Sequence, residues 1–118
     1  MESKIEMQYK YMGTTGLKIS RLGFGNWLTS NDPQAKEKMA AMVKQCFDYG
    51  INFFDTAEVY GGGEGERQMG NALLALKVPR EHYVLTTKIY WSKDGKQNRL
   101  GLSRKHILEG MKNSLKRL

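Results

Sequence analysis

A chain of 118 residues with 40% hydrophobic residues is the length of one domain, with apolar content for a modest core and none to spare for a second. Its single cysteine, Cys46, rules out an intrachain disulfide, no Cys/His group has zinc spacing, and no run approaches the roughly 20 apolar residues of a membrane span. The net charge of +7 comes from basic residues scattered among twelve acids, dense only in Arg104-Lys105-His106 and from Lys112 to Arg117; a solvated helix face accounts for it, and no nucleic-acid partner is expected.

The charged start, Met1 to Met7, lacks the apolar stretch of a secretory signal, so the expectation is a cytoplasmic protein whose residues 1–6 form a disordered tail on a domain spanning 1–118. Tyr9 and Tyr11, the turn cluster Gly13-Thr14-Thr15-Gly16, and then Leu17 and Ile19 alternate as a hairpin does. Leu22-Gly23-Phe24-Gly25 reads as a short strand whose glycines admit a close neighbour, with Asn26 and Trp27 at its end.

Ser30-Asn31-Asp32-Pro33 offers helix N-caps and a first-turn proline, after which Met39, Met42, Val43, Cys46 and Phe47 keep helical spacing up to a stop at Gly50. Ile51 to Asp55 is an apolar run ending in a carboxylate, the mark of a buried strand with an acid at its end. Gly61-Gly62-Gly63-Glu64-Gly65 lacks the glycine spacing of a dinucleotide fingerprint and reads as a turn into a second helix, apolar at Met69, Ala72, Leu73 and Leu76 and ended by Pro79.

A third strand, Tyr83 to Ile89, ends in Lys88. A polar loop from Ser92 to Arg99 follows, and then Ser103 as N-cap of a third helix bearing Ile107, Leu108, Met111, Leu115 and Leu118. His82 and His106 have no partner at ligand or triad spacing and read as surface residues. Trp27 and Trp91, each just past a strand end, suit either a core or the mouth of a cofactor site. A hairpin followed by three strand-helix units specifies an α/β chain with a parallel sheet covered by helices.

If the Asp55 and Lys88 strands are neighbours, a spacing of about 5 Å puts the two side chains within pairing reach, and Tyr60 can fold back onto both. Taken bare, the three also read as an acid capping the turn after a strand, a packed tyrosine and a surface lysine; the chemistry that would need such a set is carbonyl reduction. A tyrosine hydroxyl gives a proton to a developing alkoxide, an adjacent ammonium makes the phenolate accessible, and a carboxylate holds the ammonium in place.

Leu22-Gly23-Phe24-Gly25-Asn26-Trp27, Gly50 to Tyr60 and Thr86-Thr87-Lys88-Ile89 resemble the opening motifs of the aldo-keto reductases, with Gly61, Gly63, Glu66 and Gly70 in that family's register. The tail, Gly101 to Gly110 and Ser114 to Leu118, is similar to the voltage-gated potassium channel β-subunit branch. The resemblance implies the N-terminal part of a (β/α)8 TIM barrel, a hairpin plus about three βα units, with NADPH across its top and a small carbonyl substrate above the nicotinamide. It implies Tyr60 as proton donor, Lys88 and Asp55 as its partners, and Gly25, Asn26 and Trp27 beside the nicotinamide along with those three; no metal is implied. Threonine is commoner in the family where this chain has Asn26.

A full barrel takes about 250 residues, so the chain supplies an incomplete one, expected to be truncated and inactive alone. The family's fourth catalytic position, histidine or asparagine, and the residues for the adenosine 2′-phosphate fall beyond Leu118. The branch also implies an alternative, a structural or regulatory subunit in a protein assembly or homo-oligomer, without significant turnover.

Overall fold

A computed structural model describes residues 6–28, 31–92 and 94–118. The tail expected at 1–6 lies outside this range except for Glu6, which is exposed, and the cap candidate Ser30 lies outside it as well. Strands β1 (Tyr9–Tyr11) and β2 (Lys18–Ser20) form the antiparallel hairpin; β3 (Phe24–Gly25), β4 (Phe53–Asp55) and β5 (Val84–Thr86) form a parallel sheet in the order β3-β4-β5. Helices α1 (Ala35–Asp48), α2 (Glu64–Ala75) and α3 (Arg104–Arg117) follow the three parallel strands in turn.

Alternation along β4 decides the faces of the sheet. Phe54 is fully buried against Met39, Val43 and Cys46 of α1 and Met69, Ala72 and Leu73 of α2, while Phe47 and Tyr83 pack their rings on it at centroid distances of 5.0 and 6.2 Å. Phe53 and Asp55 alternate to the opposite face and are half-buried. Parallel register sets Asp55 beside Gly25 on one side and Thr86 on the other, so the same face carries both neighbours and, two residues beyond Thr86, Lys88.

Asn52 fastens the hairpin to the N-terminal end of the sheet. Its Oδ1 accepts the Ser20 N–H at 2.7 Å, its Nδ2 donates to Lys18 O at 3.1 Å, and its own N–H reaches Ser20 Oγ at 3.1 Å. The hairpin therefore closes the end opposite to Asp55.

Helix α1 starts without a side-chain cap on Gln34; Asp32, two residues earlier, accepts the Gln34 N–H at 2.8 Å and organises the preceding turn instead. Its buried face is Ala35, Met39, Val43 and Cys46, with Met42 exposed. Helix α2 is entered through Gly61, Gly62 and Gly63, all with left-handed φ (+56°, +66° and +97°), which side-chain-bearing residues rarely adopt. It ends before Pro79, which instead precedes a single 3₁₀ turn at Arg80–His82.

Two expectations for α3 are overturned. Ser103 caps it as expected, its Oγ accepting the His106 N–H at 3.1 Å, but the buried face is His106, Gly110 and Ser114, at intervals of one turn. Ile107, Leu108, Met111 and Leu115 are exposed, and Leu118 is half-buried. The helix packs by close approach: a Cβ on Gly110 would stand 2.9 Å from Ile89 Cγ2, and the backbone of Arg117 and Leu118 lies over Gly70 of α2. Gly110 admits the side chains of Ile89 and Glu58, and Gly70 admits the backbone at the end of α3, with the apolar stripe left facing outward. His106 is likewise buried and not on the surface, whereas His82 is exposed.

Candidate functional site

Asp55, Tyr60 and Lys88 meet at the C-terminal ends of β4 and β5. Lys88 Nζ donates to Asp55 Oδ2 at 2.5 Å, to Thr56 O at 2.8 Å and to Tyr60 Oη at 3.4 Å. The other oxygen, Asp55 Oδ1, accepts from Thr86 Oγ1 at 2.7 Å, so the carboxylate is held at both ends. The Thr56 N–H bonds to Thr86 O and the Glu58 N–H to Lys88 O, which continues the ladder past the strands and sets the turn that brings Tyr60 back. Lys88 Nζ also stands 5.2 Å from the centroid of the Tyr60 ring.

Burial acts to lower the pKa of Lys88, but the hydrogen bonds to Asp55 and Tyr60 and the attraction of their charges outweigh it, and the value lies above that of an ordinary lysine. The ammonium is therefore a fixed cation. Its side chain is 53% exposed and that of Asp55 35%, so the cluster lies open at the rim of the sheet, where a ligand can reach it. The three hydrogens of Lys88 have three acceptors, one of them Tyr60 Oη, and the Tyr60 proton has no acceptor among the described residues.

Gly25 and Trp27 are exposed beside this rim. Asn26 is buried, and its Nδ2 donates to Gly65 O at 2.7 Å, so it ties the end of β3 to the first turn of α2. Trp27 and Trp91 are 71% and 62% exposed, which removes the core reading for both. Among the described residues no group of three or more His, Cys, Asp or Glu could hold a metal ion, and no helix is long and apolar enough to cross a membrane.

A second network lies behind Lys88. Glu66, fully buried in α2, accepts from Thr87 Oγ1 at 2.7 Å and from Arg117 Nε at 2.5 Å. A buried carboxylate is stable only with such partners, and this one joins the loop before Lys88 to the end of α3. Spacing could not reveal it. Glu66 and Arg117 are 51 residues apart, and only the alternation of Thr86 and Thr87 across the strand hinted that two polar layers would form.

A family model described as Aldo/keto reductase family matches residues 21–118. The chain belongs to the aldo/keto reductase family. It is 47% identical over 112 residues to a probable voltage-gated potassium channel subunit beta of Arabidopsis thaliana, and 45% identical over 112 residues to one of Oryza sativa. Each alignment covers 95% of this chain and 34% of the relative, so the chain spans about a third of the length of these curated relatives.

Among solved structures, the thermostable aldo-keto reductase Tm1743 superposes with a TM-score of 0.76 at 32% identity, over 94% of this chain and 38% of that one. The holo form of aldo-keto reductase AKR11C1 from Bacillus halodurans superposes with a TM-score of 0.75 at 33% identity, over 96% and 37%. The aldo/keto reductase segment is thus a partial TIM barrel, three of its parallel strands with their helices and the hairpin at their N-terminal end.

Proposed function

We propose that this segment carries the proton-donating half of a carbonyl-reducing site in an NADPH-dependent oxidoreductase. The observation that carries the reading is the Tyr60 hydroxyl. It accepts from an ammonium that Asp55 and Thr56 O hold in place, and its own proton is left free to be donated. Family membership and fold support the reaction class.

In this mechanism a carbonyl oxygen approaches Tyr60 Oη from the open rim and is aligned by a hydrogen bond from the phenol. As negative charge gathers on that oxygen, Tyr60 gives up its proton, and Lys88 stabilises the phenolate left behind. Asp55, fixed by Thr86, keeps Lys88 in place throughout. NADPH, when bound, would supply the hydride. The residues present fit its nicotinamide end: an exposed indole at Trp27 and an exposed backbone at Gly25 border the half-exposed polar cluster, with Asn26 behind them holding the wall to α2.

In the purified native protein that carries this chain, Tyr60→Phe is expected to lower carbonyl reduction on the order of 10²- to 10⁴-fold while NADPH affinity stays within about threefold. Undiminished turnover would show that another acid does this work. The 118-residue polypeptide by itself is proposed to be inactive, and NADPH fluorescence should respond to it only when the rest of a barrel is supplied.

A second reading, a subunit in a potassium-channel assembly with little turnover, is favoured by the names of the relatives at 45–47% identity. Both readings place the protein in the cytoplasm. Isolation of the native protein in a complex with a channel's cytoplasmic domain, together with full channel modulation by Tyr60→Phe, would favour the subunit; channel-free protein with nicotinamide-dependent turnover would favour the enzyme.

A further inference from the structure

Between the Tyr60 turn and α3 lies a small polar cleft of about 120 Å³, lined by Glu58, Arg99, His106 and Arg117 among others. The Glu58 side chain is 12% exposed and that of His106 8%. Glu58 Oε1 is buried and has no hydrogen-bond partner among the described residues, while Oε2 rests against α3, 3.1 Å from where a Cβ on Gly110 would stand. A carboxyl group so far removed from water needs a polar partner. Two cations that line the cleft are engaged elsewhere, Arg99 with Asp94 and Arg117 with Glu66, and Glu109 at its edge pairs with Lys105.

The remaining candidate is His106, whose Nε2 stands 3.2 Å from Glu58 Oε1. That is an ion-pair approach without the alignment of a hydrogen bond. The other ring nitrogen, Nδ1, lies 2.6 Å from Gly101 O, and a carbonyl can only accept, so Nδ1 carries a hydrogen. A proton between Nε2 and Glu58 Oε1, carried by either atom, lets the two face each other at 3.2 Å.

We infer that His106 is a positioning residue for Tyr60, acting as a latch through Glu58. Glu58 is two residues before Tyr60 in one tight turn: its N–H is bonded to Lys88 O at 3.2 Å, and the Tyr60 N–H to Ala57 O at 3.1 Å. The backbone of this turn is thereby tied to the strand that carries Lys88, and its side chain to α3. Releasing the side-chain end lets the turn shift, which lengthens a Lys88–Tyr60 contact that is already 3.4 Å. The catalytic consequence rests on the reading of Tyr60 as proton donor.

Two substitutions separate the two ends of the imidazole. His106→Gln places an amide donor where Nε2 was and keeps a contact to Glu58; His106→Asn places one where Nδ1 was and keeps only the Gly101 contact. The native protein that carries this chain would be assayed with NADPH and 4-nitrobenzaldehyde, and amide hydrogen exchange followed across residues 57–62. The expectation for His106→Asn is a kcat lower by about tenfold, an unchanged KM for NADPH and faster exchange in this segment, with His106→Gln restoring both kcat and exchange most of the way.

If His106→Asn does not fold, Glu58→Ala, which removes the group that faces Nε2, takes its place with the same expected losses. Equal behaviour of the two histidine variants, or unaltered exchange in both, overturns the latch. Tyr60→Phe is run in parallel. Its full activity would overturn the proton-donor reading and the catalytic consequence with it, whereas its inactivity alongside indistinguishable histidine variants overturns the latch alone.

Discussion

Lys88 has three ammonium hydrogens, and three oxygens receive them: a carboxylate, a backbone carbonyl and a phenol. The pair with Asp55 is half-exposed, so its contribution to stability is discounted by solvent; its value is orientation. Because the folded-state pKa of Lys88 is raised, the linked stability is fully present below the unfolded-state value, near about pH 10.4 for lysine, and is lost as pH rises through the higher folded-state value. Asp55→Asn should weaken that alkaline loss. Thermal midpoints of the native protein that carries this chain, measured with and without the substitution between neutral pH and about pH 11.5, would test it, and superimposable curves would contradict it. Thr86→Val leaves Asp55 Oδ1 without its 2.7 Å donor and should lower kcat with little change in thermal midpoint.

At the scale of elements, α2 and α3 are set by two opposite devices. One is the buried Glu66–Arg117 pair, and the other is the bare surface of Gly70, where an added Cβ would stand 2.6 Å from Arg117 O and 2.9 Å from Leu118 Cα. Those are backbone atoms and cannot rotate away. Gly70→Ala should therefore destabilise by about 1–3 kcal/mol although it raises helix propensity, a result readable as a lower urea midpoint. An unchanged or higher midpoint would mean that the two helices separate freely. Ser103→Ala removes the cap of α3 and should cost about 1 kcal/mol, with the His106 N–H left to solvent.

Across the described residues the core of the molecule lies on the Phe54 face of the sheet. Phe53 and Val84 on the other face are half-buried, the α3 stripe from Ile107 to Leu115 is exposed, and a groove of about 730 Å³ between the hairpin and α1 is lined by Met7, Leu22, Met42, Tyr49 and Ile51. In a closed barrel, further strands and helices fill such surfaces. The isolated 118-residue polypeptide should accordingly bind 1-anilinonaphthalene-8-sulfonate strongly and unfold without a sharp transition. A cooperative melt without dye binding would show that these surfaces are satisfied within the chain.

The sequence by itself determined the strand-helix order, the hairpin, the buried faces of α1 and α2 and the convergence of Asp55, Tyr60 and Lys88. Each of these follows from a local period, from a turn residue, or from strand ends that a parallel sheet must bring to one rim. Tertiary structure alone decided the face of α3, because the fit of Gly110 against Ile89 and Glu58, and of the helix end against Gly70, depends on segments distant in the chain. It also decided the fate of the buried polar groups. Glu58 with His106 and Glu66 with Arg117 are pairs far apart in the chain, and a polar group buried by folding reveals its partner only once the fold has brought the two together.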